Sequence, residues 1–443
     1  MSIPEQAAPY WSTNSDGELM VGDLVVSSLV ARHGTPIFLY DRAILERKYL
    51  ALRNALPARF RICYSVKANP NPAFLRFFLE KGCGLEIASV GEFEQARAAG
   101  CCPKDILFAG PGKTVAELES VIAAGVGEIH AESDSEIERI SAISKKIGTR
   151  TRIALRVNPG EEGQGGAMRM GGKSSPFGVD EEQMDPLLQR IARDPVLEFC
   201  GIHLFSGTQV LDSSVLLTQY QKGLEIARHA AMVVDSPIRT LDFGGGLGIP
   251  YFPGDAELDL AQVREGLRQV VASITGEPCF TPTKFIVEPG RFLVGECGVY
   301  VARINDIKIS RGKKYLILDG GMNHHLAASG NLGQVIKRNF PIAILNKLNA
   351  CAAEVVDIVG PLCTPLDALG RSLTLPAAEI GDLVGIFQSG AYARTASPMG
   401  FLSHPAPPEA WVDGSHDFLV RARTPPVDYL PEVPQVEVSE SVA

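Results

Sequence analysis

The chain has 443 residues, 45% of them hydrophobic and 21% charged, with a formal net charge of -9. That length exceeds one ordinary core and predicts two domains, and the acidic balance argues against nucleic acid and anionic membrane surfaces as partners. No apolar run reaches the roughly 18 residues of a membrane span, and MSIPEQ does not read as a signal peptide. The nine scattered cysteines contain no CxxC and read as reduced thiols of a cytoplasmic protein. The eight histidines show no HxxxH or HExxH spacing, which gives a metal site no support.

The first β-rich runs, LMVGDLVVSSLV and TPIFLYD, are expected to be strands of a second domain that is completed far downstream. DRAILERKYLALRNAL follows as a helix. From residue 61 onward short β-rich runs alternate with amphipathic helical ones, the pattern of βα units. Strands are expected at 61–67, 84–89, 105–110, 128–133, 151–158, 197–205, 240–245 and 284–288, with helices such as VGEFEQARAAG and TVAELESVIAAG between them. Eight such units predict a (β/α)8 barrel. Beyond Glu288, CGVYVARINDIKISRGKKYLILDGG and EIGDLVGIFQSGAY are β-rich with turn signals, which predicts a mainly antiparallel domain. The expected division is N-terminal strands at 1–40, barrel at 41–290, β domain at 291–422 and a flexible acidic tail at 423–443.

Active groups of barrels gather where strands end and βα loops begin. Lys67 ends the first predicted strand, inside YSVKANPN, where burying a lysine is expensive without a purpose. Glu86 lies in the second strand and Arg156 near the end of the fifth, Thr208-Gln209 follow the sixth, the seventh runs into DFGGGLG, and the eighth ends in EPGR. The glycines of DFGGGLG suit a backbone cradle for an anion or simply a tight turn. Arg291 offers a cation to such an anion. A strand-end lysine in a desolvated pocket can act as an amine towards a carbonyl. With a phosphate cradle beside it, the economical ligand is pyridoxal 5'-phosphate (PLP). Glu288 would face its pyridine nitrogen and keep it protonated, which favours loss of carbon dioxide over racemisation.

YSVKANPN, the stretch 86–92, LRVNP, GTQ, DFGGGLG, EPGR, GPLCTPLD and GAY together resemble the fold-type III PLP-dependent decarboxylases, which include the diaminopimelate, ornithine and arginine decarboxylases. The resemblance spans about residues 20 to 420 and implies an alanine-racemase-like barrel plus a β domain. Carried over residue by residue, it makes Lys67 the Schiff-base lysine and Glu288 the partner of the pyridine nitrogen. Gly245, Gly246, Arg291 and Tyr392 become phosphate ligands, with Arg156 and Thr208 beside the cofactor and Tyr392 also near substrate. It makes Cys363 the proton donor, supplied across a homodimer interface.

Three departures bear on the substrate. Phe205 stands where the family stacks a histidine on the cofactor ring, and His203 lies two residues earlier, either a partial substitute or a core histidine. Thr364 replaces the acidic residue that holds a distal ammonium, whose loss disfavours a diamino substrate. DGGMNHHLAASGNLGQVIKRNF lacks the early arginine of diaminopimelate decarboxylases. His324-His325 stand there, and Lys337 and Arg338 come later as surface charges or substrate ligands. The pattern resembles the branch acting on glutamate held as a thioester on an acyl carrier protein, and its exosortase-associated relatives. Diaminopimelate decarboxylase, a racemase and a catalytically silent PLP-binding homologue are the alternatives. GEEGQGGAMRMGGKSSPFG, 160–178, is either a lid over the site or a loose loop, in which Arg169 and Lys173 would meet an acidic carrier.

Overall fold

The computed structural model describes residues 3–160, 168–169, 174–205, 207–334 and 336–424. Eight parallel strands close into a barrel: Phe60–Ser65, Gly84–Ile87, Ile106–Phe108, Glu128–Ala131, Thr151–Asn158, Leu197–Leu204, Thr240–Asp242 and Lys284–Val287. Each predicted run is present: 151–158 has the predicted bounds, the first strand starts one residue earlier at Phe60, and the others are shortened, mostly at their C-terminal ends. Closure comes from pairing the last strand with the first, Phe285 opposite Phe60. Burial on both faces explains why these strands read as continuous apolar runs rather than alternating ones.

Local chemistry sets the helices between them. Ser89 accepts the amide of Glu92 and caps Val90–Ala98. Thr114 and Glu117 form a reciprocal capping box for Val115–Ala123, which ends before Gly125 at a φ of 76°. The helix Arg42–Ala55 starts at Asp41, whose carboxylate accepts the amides of Ala43 and Ile44. One expectation fails here. LMVGDLVVSSLV is strand only at its start: after the short strands Leu19–Val21 and Leu24–Val25, Val26–His33 is a helix. Val26, Leu29 and Val30 form its buried face at helical spacing, and a run of valines hid that period.

The second sheet is built on the 13-residue strand Gly298–Ser310. Its first half pairs antiparallel with Ile37–Asp41 and with Leu383–Ile386, and its second half with Lys313–Leu318 across a turn at Arg311-Gly312. Ile37–Asp41 also pairs in parallel with Glu409–Asp413. The strand that precedes the barrel in sequence is therefore interior to the other sheet. No helix among the described residues is long and apolar enough to cross a membrane.

Candidate active site

The strand ends and following loops converge on a cavity of about 430 Å3. Of the residues singled out in sequence, Lys67, Glu86, Arg156, His203, Phe205, Thr208, Gln209, Glu288, Arg291 and Tyr392 line it. The first strand stops at Ser65, and a single 3-10 turn, Val66–Ala68, carries Lys67 into the opening. Its Nζ donates to both oxygens of Glu86 at 3.1 Å, and Glu86 accepts a third hydrogen bond from Ser65 Oγ at 2.6 Å. The side chain of Lys67 is 45% exposed to the cavity, while Glu86 is buried. Withdrawal from bulk water would push the Lys67 ammonium down. The carboxylate of Glu86 outweighs that, with Tyr392 and Glu288 adding to it, and holds the group above the usual lysine range. Lys67 thus rests as an ammonium with its acceptor in contact.

The turn carrying Lys67 is fixed from the second domain. Asn69 Nδ2 donates to the carbonyl of Gly390 at 3.0 Å, and Asn71 Nδ2 donates to Glu409 at 3.1 Å. The amide of Tyr392 donates to the carbonyl of Ala68 at 2.8 Å. Tyr392 holds a φ of 52°, an uncommon setting for a non-glycine residue that brings its ring to the cavity beside Arg291. The guanidinium of Arg291 lies 4.8 Å from the Tyr392 ring centroid and donates to Tyr251 Oη at 3.0 Å.

These groups fit PLP. Glu288 is buried, and its Oε1 has no hydrogen-bond partner, as expected of a carboxylate meant for a ring nitrogen. Gly244 and Gly246 hold φ of 69° and 95°. A Cβ on Gly245 would lie 2.6 Å from the carbonyl of Glu288, so only glycine lets this loop press against the eighth strand end. Gly245 and Gly246 are not among the residues that line the cavity. The aromatic ring of Phe205 forms one face of the pocket, and Arg156 approaches it at 6.0 Å. His203 does not stack there. It is buried at the cavity's lining, its Nε2 3.5 Å from Glu288 and its ring 4.3 Å from that of His130. Burial holds its imidazole well below the usual range and neutral.

Arg156 donates to Glu132 at 2.7 Å, and Glu132 also accepts the amides of Gly110 and Gly178. Burial alone would raise the Glu132 carboxyl, but Arg156 and Lys113 together hold it below the usual range. Glu132 was invisible to the sequence reading, because the fourth strand ends in an unremarkable AES. Its signal was a buried-strand run closing on a carboxylate.

Cys363 and Thr364 do not line their own chain's cavity. Cys363 is exposed in a loop of the second domain. Asp367 accepts the amides of Leu362 at 2.9 Å and Met322 at 2.7 Å, which ties that loop to DGGMN. His324 and His325 are buried structural groups: His324 Nδ1 faces Tyr300 Oη at 3.2 Å, and His325 Nε2 faces Ser389 Oγ at 2.9 Å. Lys337 and Arg338 are exposed, the latter 3.6 Å above the Phe252 ring at the cavity's outer edge. Within 160–178 the backbone of Met168–Arg169 pairs with Gly207–Thr208. Lys173 and most of the expected lid lie outside the described residues, as does most of the acidic tail.

Residues 42–295 match the family model "Pyridoxal-dependent decarboxylase, pyridoxal binding domain". The chain is 35% identical over 403 residues, 90% of its own length and 94% of the relative's, to the L-glutamyl-(BtrI acyl-carrier protein) decarboxylase of Niallia circulans. It is 29% identical to the diaminopimelate decarboxylase of Aquifex aeolicus, across 96% of this chain and 97% of that one. Among solved structures, AQ1208 from Aquifex aeolicus superposes with a TM-score of 0.82 at 29% identity, covering 96% of this chain and 97% of that one.

Proposed function

The chain belongs to the pyridoxal-dependent decarboxylases, and from that premise we propose that it removes the α-carboxylate of an L-amino acid carried as a thioester on an acyl carrier protein, glutamate foremost. It is a PLP-dependent carboxy-lyase on an amino-acid substrate; the carrier-bound form is the finer reading. The supporting observation is the outer wall of the cavity. Beyond the cofactor zone its described lining is Phe177, Phe252, Ala327, Leu332, Gln334 and Phe340, none of them charged, with the Arg338 guanidinium just outside, 3.6 Å above the Phe252 ring. A free diamino acid would bring a distal ammonium against that wall with no carboxylate among its described residues to pair with, costing several kcal/mol, whereas a side-chain thioester presents no charge there.

When bound, PLP supplies an electron sink for the pair left as carbon dioxide departs. Lys67 would hold its aldehyde carbon, with Glu86 positioned to take the proton that the ammonium must first lose. Glu288 would hold a proton on the ring nitrogen, Phe205 would cover one ring face, and Arg291 and Tyr392 would face the phosphate. Cys363 would give the product its proton from a second copy of the chain; its exposure and its absence from the lining of its own cavity support a shared site in a homodimer.

The test is carbon dioxide release by the PLP-loaded enzyme from glutamate joined to the carrier through its side-chain carboxyl, and from other carrier thioesters that leave the α-carboxylate free, against free glutamate, diaminopimelate, ornithine, arginine and lysine. Turnover of the glutamyl thioester at a kcat/KM at least about 10^2-fold above every free amino acid is the expected result. Comparable turnover of free diaminopimelate would overturn it, in favour of the activity named for the Aquifex relative.

A further inference from the structure

Beneath the cavity the barrel encloses four titratable side chains contributed by separate strands: His130 from the fourth, His203 from the sixth, Asp242 from the seventh and Glu288 from the end of the eighth. Their ligand-type atoms all lie within 4.8 Å of one another, and each residue is at most 4% exposed. Asp242 Oδ1 accepts the amide of Gly244 at 2.8 Å. Asp242 Oδ2 and Glu288 Oε1 are each buried without a hydrogen-bond partner. Two ionised carboxylates in this space would leave two orphaned acceptors and two like charges in a dry interior. One proton between them removes both problems, because a protonated carboxyl donates where a carboxylate only accepts.

We propose that Asp242 carries this proton and donates it to Glu288, so that the pair presents one negative charge, oriented, to whatever sits on the cavity side of Glu288. Asp242 is then a positioning residue for the cofactor's ring nitrogen, an inference that rests on the reading of Glu288 given above. The surroundings select Asp242 over Glu288 as the proton's home. Glu288 opens on the cavity, with Lys67 nearby and His203 Nε2 at 3.5 Å. Asp242 is fully buried and faces Glu288 and, further off, Glu128. Burial, then the charge of Glu288, pushes its carboxyl well above the usual range. Among the other titratable groups packed around the pair, burial sets the state of three. His203 is held neutral; Cys63 of the first strand and Tyr220 of the helix Ser213–Val234 are pushed up by burial and stay protonated. His130 contacts Glu128 through Nε2 at 3.3 Å.

The direct test is infrared spectroscopy of the cofactor-free protein near pH 8, with 13C-labelled aspartate. A carbonyl stretch of a protonated aspartic acid, absent in Asp242→Asn, supports the proposal. Its absence from the wild type, its persistence in Asp242→Asn, or stoichiometric divalent metal in the purified protein would overturn it. The band does not depend on the substrate, so it stands or falls separately from the decarboxylation panel. In the loaded enzyme, Asp242→Asn keeps a donor towards Glu288 and the acceptor for Gly244, whereas Asp242→Ala keeps neither. We expect Asp242→Ala to lower kcat at least about tenfold more than Asp242→Asn, and the wild-type kcat to fall at alkaline pH as that proton leaves, a fall that Asp242→Asn lacks. Equal losses in both variants with an unchanged profile would overturn the role.

Discussion

Lys67 shows how far one residue can be read and where reading stops. That an apolar strand ends in a lysine is visible in YSVKANPN, and so is the turn after it. What the sequence does not display is the partner. Glu86 is nineteen residues away, on the neighbouring strand, and its three acceptor contacts, from Ser65 and Lys67, exist only once the strands are in register. His203 was harder still, because its place depends on His130 and Asp242, which carry no motif spacing and meet only across the barrel. The prediction at this scale is direct. Lys67→Ala should lack the visible absorbance of bound PLP and lose roughly 10^3-fold or more in turnover. An unchanged spectrum in the purified variant would remove Lys67 from its role.

At the scale of elements, the barrel strands were legible because burial on both faces leaves uninterrupted β-rich runs, and the helices because their caps are local. The 26–33 helix was not, since valine-rich sequence satisfies either period. DGGMNHHLAASG was legible as a departure but not as a structure. Both histidines are core groups whose neutral rings hold the segment against Tyr300 and Ser389. Burial is the main cause that lowers each from 6.5 to about 3. A folded-state pKa below the unfolded one stabilises fully above pH 6.5 and is lost as pH falls towards 3. By pH 5 the loss is about 2 kcal/mol per histidine. The urea midpoint should therefore fall between pH 7 and 5, and His325→Gln should make that fall shallower. A midpoint equally pH-dependent in the variant would contradict this.

At the scale of the whole molecule, the cavity wall of a single chain contains the lysine and the groups that fit the cofactor but not the cysteine assigned as proton donor. If a second copy supplies Cys363, inactive Lys67→Ala and Cys363→Ala proteins should regain activity on mixing. Recovery should approach about a quarter of wild type, since half of randomly formed dimers carry one intact site of two. No recovery after subunit exchange, verified by tagged chains, would exclude the shared site. The tie from Asp367 to Met322 and Leu362 fixes where that cysteine loop leaves the second domain, a link no spacing in the sequence announces.

The position of Ile37–Asp41 also sets a timetable. This strand leaves the ribosome early, yet its sheet partners are Gly298–Ser310 and Glu409–Asp413, made after the entire barrel. Pairing across such a separation is slow, so the nascent chain carries an unmatched apolar strand through most of its synthesis. The Lys67 turn waits on the same late residues, because Gly390, Tyr392 and Glu409 anchor it. A ribosome stalled before residue 390 would hold a barrel whose lysine turn is not yet anchored.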